Sequence, residues 1–117
     1  MEIQIAVKRL AALGHESRLA IFRLLVQAGP EGISAGQIAE KLSIALPTLS
    51  FHLSHLSRVG LIKGRQESRF IFYAADYSAM DDLLSYLMAN CCQGGQCLPP
   101  TVAVTVSKKQ SRAVASR

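Results

Sequence analysis

The first ninety residues of this 117-residue chain contain no cysteine, and residues 98–117 contain no acid. Nor does any apolar run approach the ~18 residues of a membrane span, because Glu2, Lys8 and Arg9 interrupt the apolar N-terminus. That excludes a spanning segment and predicts a soluble, cytoplasmic protein. The three cysteines, Cys91, Cys92 and Cys97, are odd in number and confined to seven residues. Such a cluster cannot build the disulfide framework of a small secreted domain, so a reduced thiol group is expected. Half the residues are hydrophobic, enough at this length for one domain with its own core but not for two.

The charge that is present is local. Of the net +5, Lys108, Lys109, Arg112 and Arg117 supply +4 in the acid-free end. Residues 47–73 hold Arg58, Lys63, Arg65 and Arg69 against Glu67 alone, and Asp76, Asp81 and Asp82 follow. A concentrated basic stretch is what a phosphate-binding face requires.

Ile3, Ala6, Val7, Leu10 and Leu13 recur at three and four, the stripe of an amphipathic helix that Gly14 can end. Leu19, Phe22, Leu25 and Val26 mark a second helix over 16–28, and Gly29, Pro30 and Gly32 break the chain after it. Ser34 followed by Gln37 is a capping-box pattern opening a short helix that ends near Ser43. After a turn through Ile44 and Ala45, Pro47 favours a first helical turn, and Leu49, Leu53, Leu56 and Val59 repeat at helical spacing up to Gly60. Two short helices joined by a tight turn form a helix-turn-helix pattern.

Residues 61–66 and 69–74 read as two strands with Glu67 and Ser68 as the turn, the second strand holding Phe70, Ile71, Phe72 and Tyr73. Such a basic hairpin directly after a candidate recognition helix is the expected wing of a winged helix. Ser78 with Asp81 predicts the cap of a last helix whose apolar stripe is Met80, Leu83, Leu84, Leu87, Met88 and Cys91. The width of that stripe points to burial between two copies of the chain, together with the first helix. The fold class expected is therefore mainly α with a small β-hairpin wing, a homodimeric winged helix-turn-helix. Residues 1–92 would form that domain, with dimerisation helices at both ends, and residues 93–117 a flexible cysteine-containing segment and basic tail.

On the second helix of the pair the leucines face inward, which turns Pro47, Thr48, Ser50, Phe51, Ser54, His55 and Arg58 toward base edges and phosphates of double-stranded DNA. His52 is placed in the same DNA-binding set. Arg65 and Arg69 flank the wing turn and suit phosphate or the minor groove. The spacing of His52 and His55 could also serve a metal, but no third ligand of that kind lies nearby in sequence.

The stretch from Leu13 to Phe22, then Ile38 to Leu42, Pro47 to Leu53 and Val59 to Ile62 resembles the ArsR/SmtB family of metal-responsive winged-helix repressors, over about residues 3–90. The resemblance implies a homodimer that sits on an operator and leaves it when a thiophilic metal or metalloid binds. The chain departs from the family pattern in three places. Ser34, Ala35 and Gly36 stand where arsenite-sensing members carry Cys-Val-Cys. No histidine occurs in residues 77–92, where zinc-sensing members carry Asp and His ligands. Ser68 replaces the usual wing glycine.

What remains as an effector site is Cys91, Cys92 and Cys97. Adjacent residues on an α-helix diverge by about 100°, so a shared ligand needs the helix to end or unwind there, which Gly94 and Gly95 permit. Trivalent arsenic and antimony form three-coordinate thiolate complexes, whereas zinc normally takes a fourth ligand. The expectation is a transcriptional repressor, not an enzyme, that needs no cofactor for DNA binding and takes As(III) or Sb(III) as inducer. The alternatives are a redox switch through a Cys92–Cys97 disulfide, or another soft metal such as copper(I), cadmium or lead. Cys91 alone also reads as a small buried hydrophobe. A small thiol enzyme or metalloid carrier is disfavoured, because no cysteine is coupled in sequence to an evident base.

Overall fold

The computed structural model describes residues 1–94. It divides between Leu83 and Leu84 into two units. The first, from Met1, contains α1 (Ile3–Leu13), α2 (Glu16–Ala28), β1 (Ile33–Ser34), α3 (Ala35–Leu42), α4 (Leu46–Arg58), β2 (Ile62–Glu67) and β3 (Phe70–Ala75). Helix α5 (Tyr77–Leu87) begins in it. No helix among the described residues is long and apolar enough to cross a membrane.

The helix-turn-helix forms where the spacing placed it. Ser34 Oγ accepts the Gln37 backbone N–H at 3.2 Å while Gln37 Oε1 accepts the Ser34 N–H at 3.0 Å, so the capping box closes in both directions. Ser43 then takes a left-handed conformation (φ 54°), and the Ile44 N–H reaches back to the Ala39 carbonyl at 3.1 Å, which turns the chain into α4. Pro47 sits in the first turn of α4, where its missing N–H would have had no helical partner. Ile21, Leu25, Ile38, Leu49, Leu56 and Leu61 have no exposed surface and form the centre of the core.

The hairpin is displaced by one residue from the sequence expectation. Strands β2 and β3 pair antiparallel from Ile62 opposite Ala75 to Glu67 opposite Phe70, and the turn is Ser68–Arg69. Ser68 supplies the positive φ (60°) that glycine would have supplied. A third strand, β1, adds to the other edge of β3 and gives the order β1-β3-β2. It was not foreseen; Ser34 serves both as its last residue and as the cap of α3.

Two corrections concern the last helix. Its cap is Asp76, whose Oδ1 accepts the Ala79 N–H at 3.0 Å, not Ser78. The helix also stops at Leu87, before the apolar stripe does in sequence. Asn90 turns left-handed (φ 59°), and Cys91–Gly94 follows as a short 3-10 turn, so Cys91 is not on the α-helix.

Helix α1 leaves much of its apolar stripe at the surface. Ala6 is buried and Leu13 half-buried, but Ile3, Val7 and Leu10 are 60%, 57% and 43% exposed. Arg9 fixes the helix instead, donating from Nε to the Val59 carbonyl at 2.9 Å and from Nη1 to the Ala79 carbonyl at 3.3 Å.

Candidate nucleic-acid interface

Helix α4 sorts its side chains as a recognition helix must. Leu49, Leu53 and Leu56 are buried, whereas Pro47, Thr48, Ser50, Phe51, Ser54 and Arg58 are exposed and His55 is half-exposed. The helix thus presents hydroxyls and an aromatic ring along its length, with a cation in its last turn.

His52 does not join this face, contrary to its expected place in the DNA-binding set. It is 5% exposed, because position 52 falls three after Leu49 and four before Leu56, on the inward stripe. Its Nδ1 lies 3.4 Å from Nη1 of Arg18, and its ring is 4.8 Å from that of His15. Arg18 is itself held, donating from Nε to the Ala12 carbonyl at 2.7 Å. His15 caps α2, its Nδ1 accepting the Ser17 N–H at 3.1 Å. His15 and Arg18 therefore set the seat of the recognition helix. Neither role is evident from the sequence pattern alone, although a polar residue at 52 on an otherwise leucine stripe signals that something must face it.

Burial pushes the His52 imidazole below its ordinary value, and the nearby His15, Arg18 and His55 act in the same direction. His55 is lowered too, first by desolvation and then by Arg18, Arg58 and His15. A histidine that is harder to protonate in the folded chain than in the unfolded one contributes stability above its ordinary value near 6.5, lost as the pH falls through the folded value. The melting temperature is accordingly expected to fall between pH 7.5 and pH 5, and His52→Gln to flatten that fall. An unchanged pH profile in the variant would remove His52 as the cause.

The wing carries its charge unevenly. Arg65 donates from Nε to Glu67 Oε2 at 2.8 Å and from Nη1 to the Glu31 carbonyl at 3.2 Å, and its guanidinium lies over the Phe72 ring at 5.4 Å. That is the one ion pair among the described residues. Arg69, in the turn itself, and Lys63, absent from the expected site set, are exposed with no carboxylate in ion-pair range among the described residues. Lys8 of α1, with His55 and Arg58 of α4, lines a shallow cleft floored by Ala11 and Val59.

Cys91 is half-buried in the 3-10 turn, Cys92 follows it, and Cys97 lies outside the described residues. Among the described residues no group of three or more His, Cys, Asp or Glu is arranged to hold a metal. His15, His52 and His55, though close, are not such a group.

These elements have recognisable relatives. The family described as a helix-turn-helix domain matches residues 13–65. The transcriptional activator HlyU of Vibrio cholerae is 31% identical over 91 residues, covering 78% of this chain and 82% of that protein. The structure of its reduced form superposes with a TM-score of 0.61 at 30% identity, over 77% of this chain and 92% of that one. The biofilm growth-associated repressor of Agrobacterium fabrum is 34% identical over 91 residues, 78% of this chain and 73% of that protein. At 23% identity and a TM-score of 0.60, the fold matches a homodimeric winged helix-turn-helix DNA-binding domain from Mycobacterium bovis, named as a possible ArsR-family regulator, over 83% of this chain and 90% of that one. With a two-way capped helix-turn-helix, a hairpin wing and HlyU aligned along most of both chains, this chain belongs to the helix-turn-helix transcriptional regulators of which HlyU is a member, built on the ArsR-like winged-helix fold.

Proposed function

We propose that the chain is a repressor that binds double-stranded operator DNA as a homodimer, with α4 in the major groove and the wing on flanking phosphates, and that trivalent arsenic or antimony bound at Cys91, Cys92 and Cys97 releases it. The observation that carries the DNA part is the outward face of α4, exposed, free of acid and continuous in sequence with a cationic hairpin. The exposed Ile3, Val7 and Leu10 of α1 supply an apolar stripe for a second copy, and one neighbour in fold is named as homodimeric. Repression is the mode for which the Agrobacterium relative is named.

Support for the effector part is chemical. The α-helix has ended before Cys91, but the 3-10 turn Cys91–Gly94 rotates successive residues by about 120°, so a ligand shared by Cys91 and Cys92 requires that short turn to open. Three sulfurs without histidine suit a trivalent metalloid better than zinc.

The test begins with a duplex selected from a random library by the purified protein. Tight binding to the selected duplex and weak binding to unselected DNA is the expected result; equal binding to both would end the operator reading. The complex is then challenged with arsenite, antimonite, cadmium, zinc, copper(I) and peroxide. Release by arsenite and antimonite supports the proposal, whereas release by peroxide alone, reversed by a thiol reductant, would replace it with the redox reading. The wing makes a separate prediction. Arg69→Ala is expected to reduce the slope of log Kd against log salt by about 0.9, one phosphate contact, and Arg65→Ala by less because Glu67 already offsets its charge. Equal losses from both would show that the Arg65–Glu67 pair opens on DNA.

A further inference from the structure

The outward face of α4 lacks the side chains that most often read bases. Between Leu46 and Ser57 there is no arginine, lysine, asparagine or glutamine. Bidentate recognition of guanine needs Arg or Lys, and that of adenine needs Asn or Gln. Neither is available until Arg58, in the last turn. Thr48, Ser50 and Ser54 carry hydroxyls that bond to any base or to phosphate, and so discriminate little.

One side chain on this face is not permissive. Phe51 is 63% exposed, more than any other large hydrophobic among the described residues. It shares a stripe with Pro47, Ser54 and Arg58, at spacings of four, three and four. Its exposed neighbours along the helix are Pro47 and the hydroxyl-bearing Thr48, Ser50 and Ser54, a more polar setting than the apolar stripe of α1. The ring is also steadied, meeting His52 edge-on with centroids 5.7 Å apart and planes at 64°. His52 is in turn held by Arg18 and His15. A braced aromatic ring at the middle of a groove-facing helix has one distinctive partner on the major-groove floor, the C5-methyl group of thymine.

We propose that Phe51 is a specificity-determining residue that selects thymine, by packing its ring on the C5-methyl group at a fixed position of each operator half-site. This rests on the DNA-binding reading above. Recognition is then biased toward A·T pairs by an apolar contact, and the hydroxyls on either side adjust to the backbone and the neighbouring pairs.

The experiment uses the library-selected duplex, resynthesised with each thymine in turn replaced by deoxyuridine, which lacks only the methyl group. For the unaltered protein, one thymine per half-site is expected to lose about fourfold in affinity on substitution, the worth of one buried methyl group, and the symmetric pair about fifteenfold. Phe51→Ala should bind thymine and uracil duplexes alike. Because Phe51 is exposed, that variant should keep its melting temperature and its oligomeric state. Selection should also yield no preferred thymine at that position when repeated with Phe51→Ala. A protein that selects an operator yet tolerates every uracil overturns the proposal. So does an uracil penalty that persists unchanged in Phe51→Ala. Failure to select any operator would be different, since it removes the DNA-binding reading itself.

Discussion

Replacing any one of Cys91, Cys92 or Cys97 by serine is expected to abolish arsenite-driven release from the operator while changing operator affinity by less than about 0.5 kcal/mol, as for surface positions distant from a site. None of the three lies on α4 or the wing, so DNA affinity has no reason to follow them. Release by about 100-fold requires about 2.7 kcal/mol of coupling between the two sites. In a three-sulfur complex each thiolate supplies one of three bonds, so losing one sulfur removes the complex that carries the coupling. The global change need not be large: two recognition helices must meet half-sites about 34 Å apart, and a small rotation at a dimer interface spoils that match. Anisotropy of a labelled operator, titrated with arsenite for each variant, measures the effect. Should Cys97→Ser alone still respond, the working site is the adjacent pair, which suits a ligand with two free valences such as a monomethylated arsenical. If all three variants release DNA normally, the cysteines are not the sensor.

Much of the fold was legible because short-range chemistry decided it. The spans of α1 and α2, the Ser34–Gln37 box and Pro47 in the first turn of α4 rest on short-range signals and were found where expected, but the buried face of α2 is Ile21, Phe22 and Leu25, with Leu19 and Val26 of its expected stripe exposed. What escaped was settled by partners distant in sequence. Strand β1 is two residues long, too short to show a period, and exists because β3 has a free edge for it. His52 was assigned to the DNA face by its residue type, although the positions of Leu49, Leu53 and Leu56 already placed it inside; burial is tolerated because Arg18 and His15 meet it there. Charge counting along the hairpin could not tell that Glu67, two residues on and on the same strand face, answers Arg65 and leaves Lys63 and Arg69 without an ion pair among the described residues. Periodicity showed that α1 has an apolar side but not whose core it enters; most of it remains at the surface of a single chain. The end of α5 was obscured because Met88 and Cys91 continue the apolar spacing, whereas Asn90, a residue that tolerates positive φ, turns the backbone away.

Gly32→Ala is expected to cost about 3 kcal/mol of folding stability, from roughly 1–2 kcal/mol for a left-handed backbone bearing a Cβ and a similar amount for overpacking. Gly32 sits at φ +80°, and a Cβ there would run into the carbonyl oxygen of Tyr73, with the carbonyl carbon only 2.8 Å away. That carbonyl cannot easily retreat, because Tyr73 is the residue of β3 paired with both Ile33 of β1 and Gly64 of β2. Relief must come from parting β1 from the sheet, which also disturbs Ser34 and with it the cap of α3. For a small domain with about 5–15 kcal/mol in total, this is a large fraction. Urea unfolding followed by circular dichroism should show a lower midpoint at an unchanged slope. Gly36→Ala is the internal contrast: it lies inside α3 with the nearest atom, Ser34 Oγ, 4.0 Å from a new Cβ, and should stabilise by about 0.5–1 kcal/mol. Because β3 is one strand of the wing, Gly32→Ala should also weaken binding to operator and random DNA alike, whereas Gly36→Ala should leave both unchanged. Equal stabilities for the two variants would mean that the contact between the Gly32 backbone and Tyr73 does not hold β1 in place.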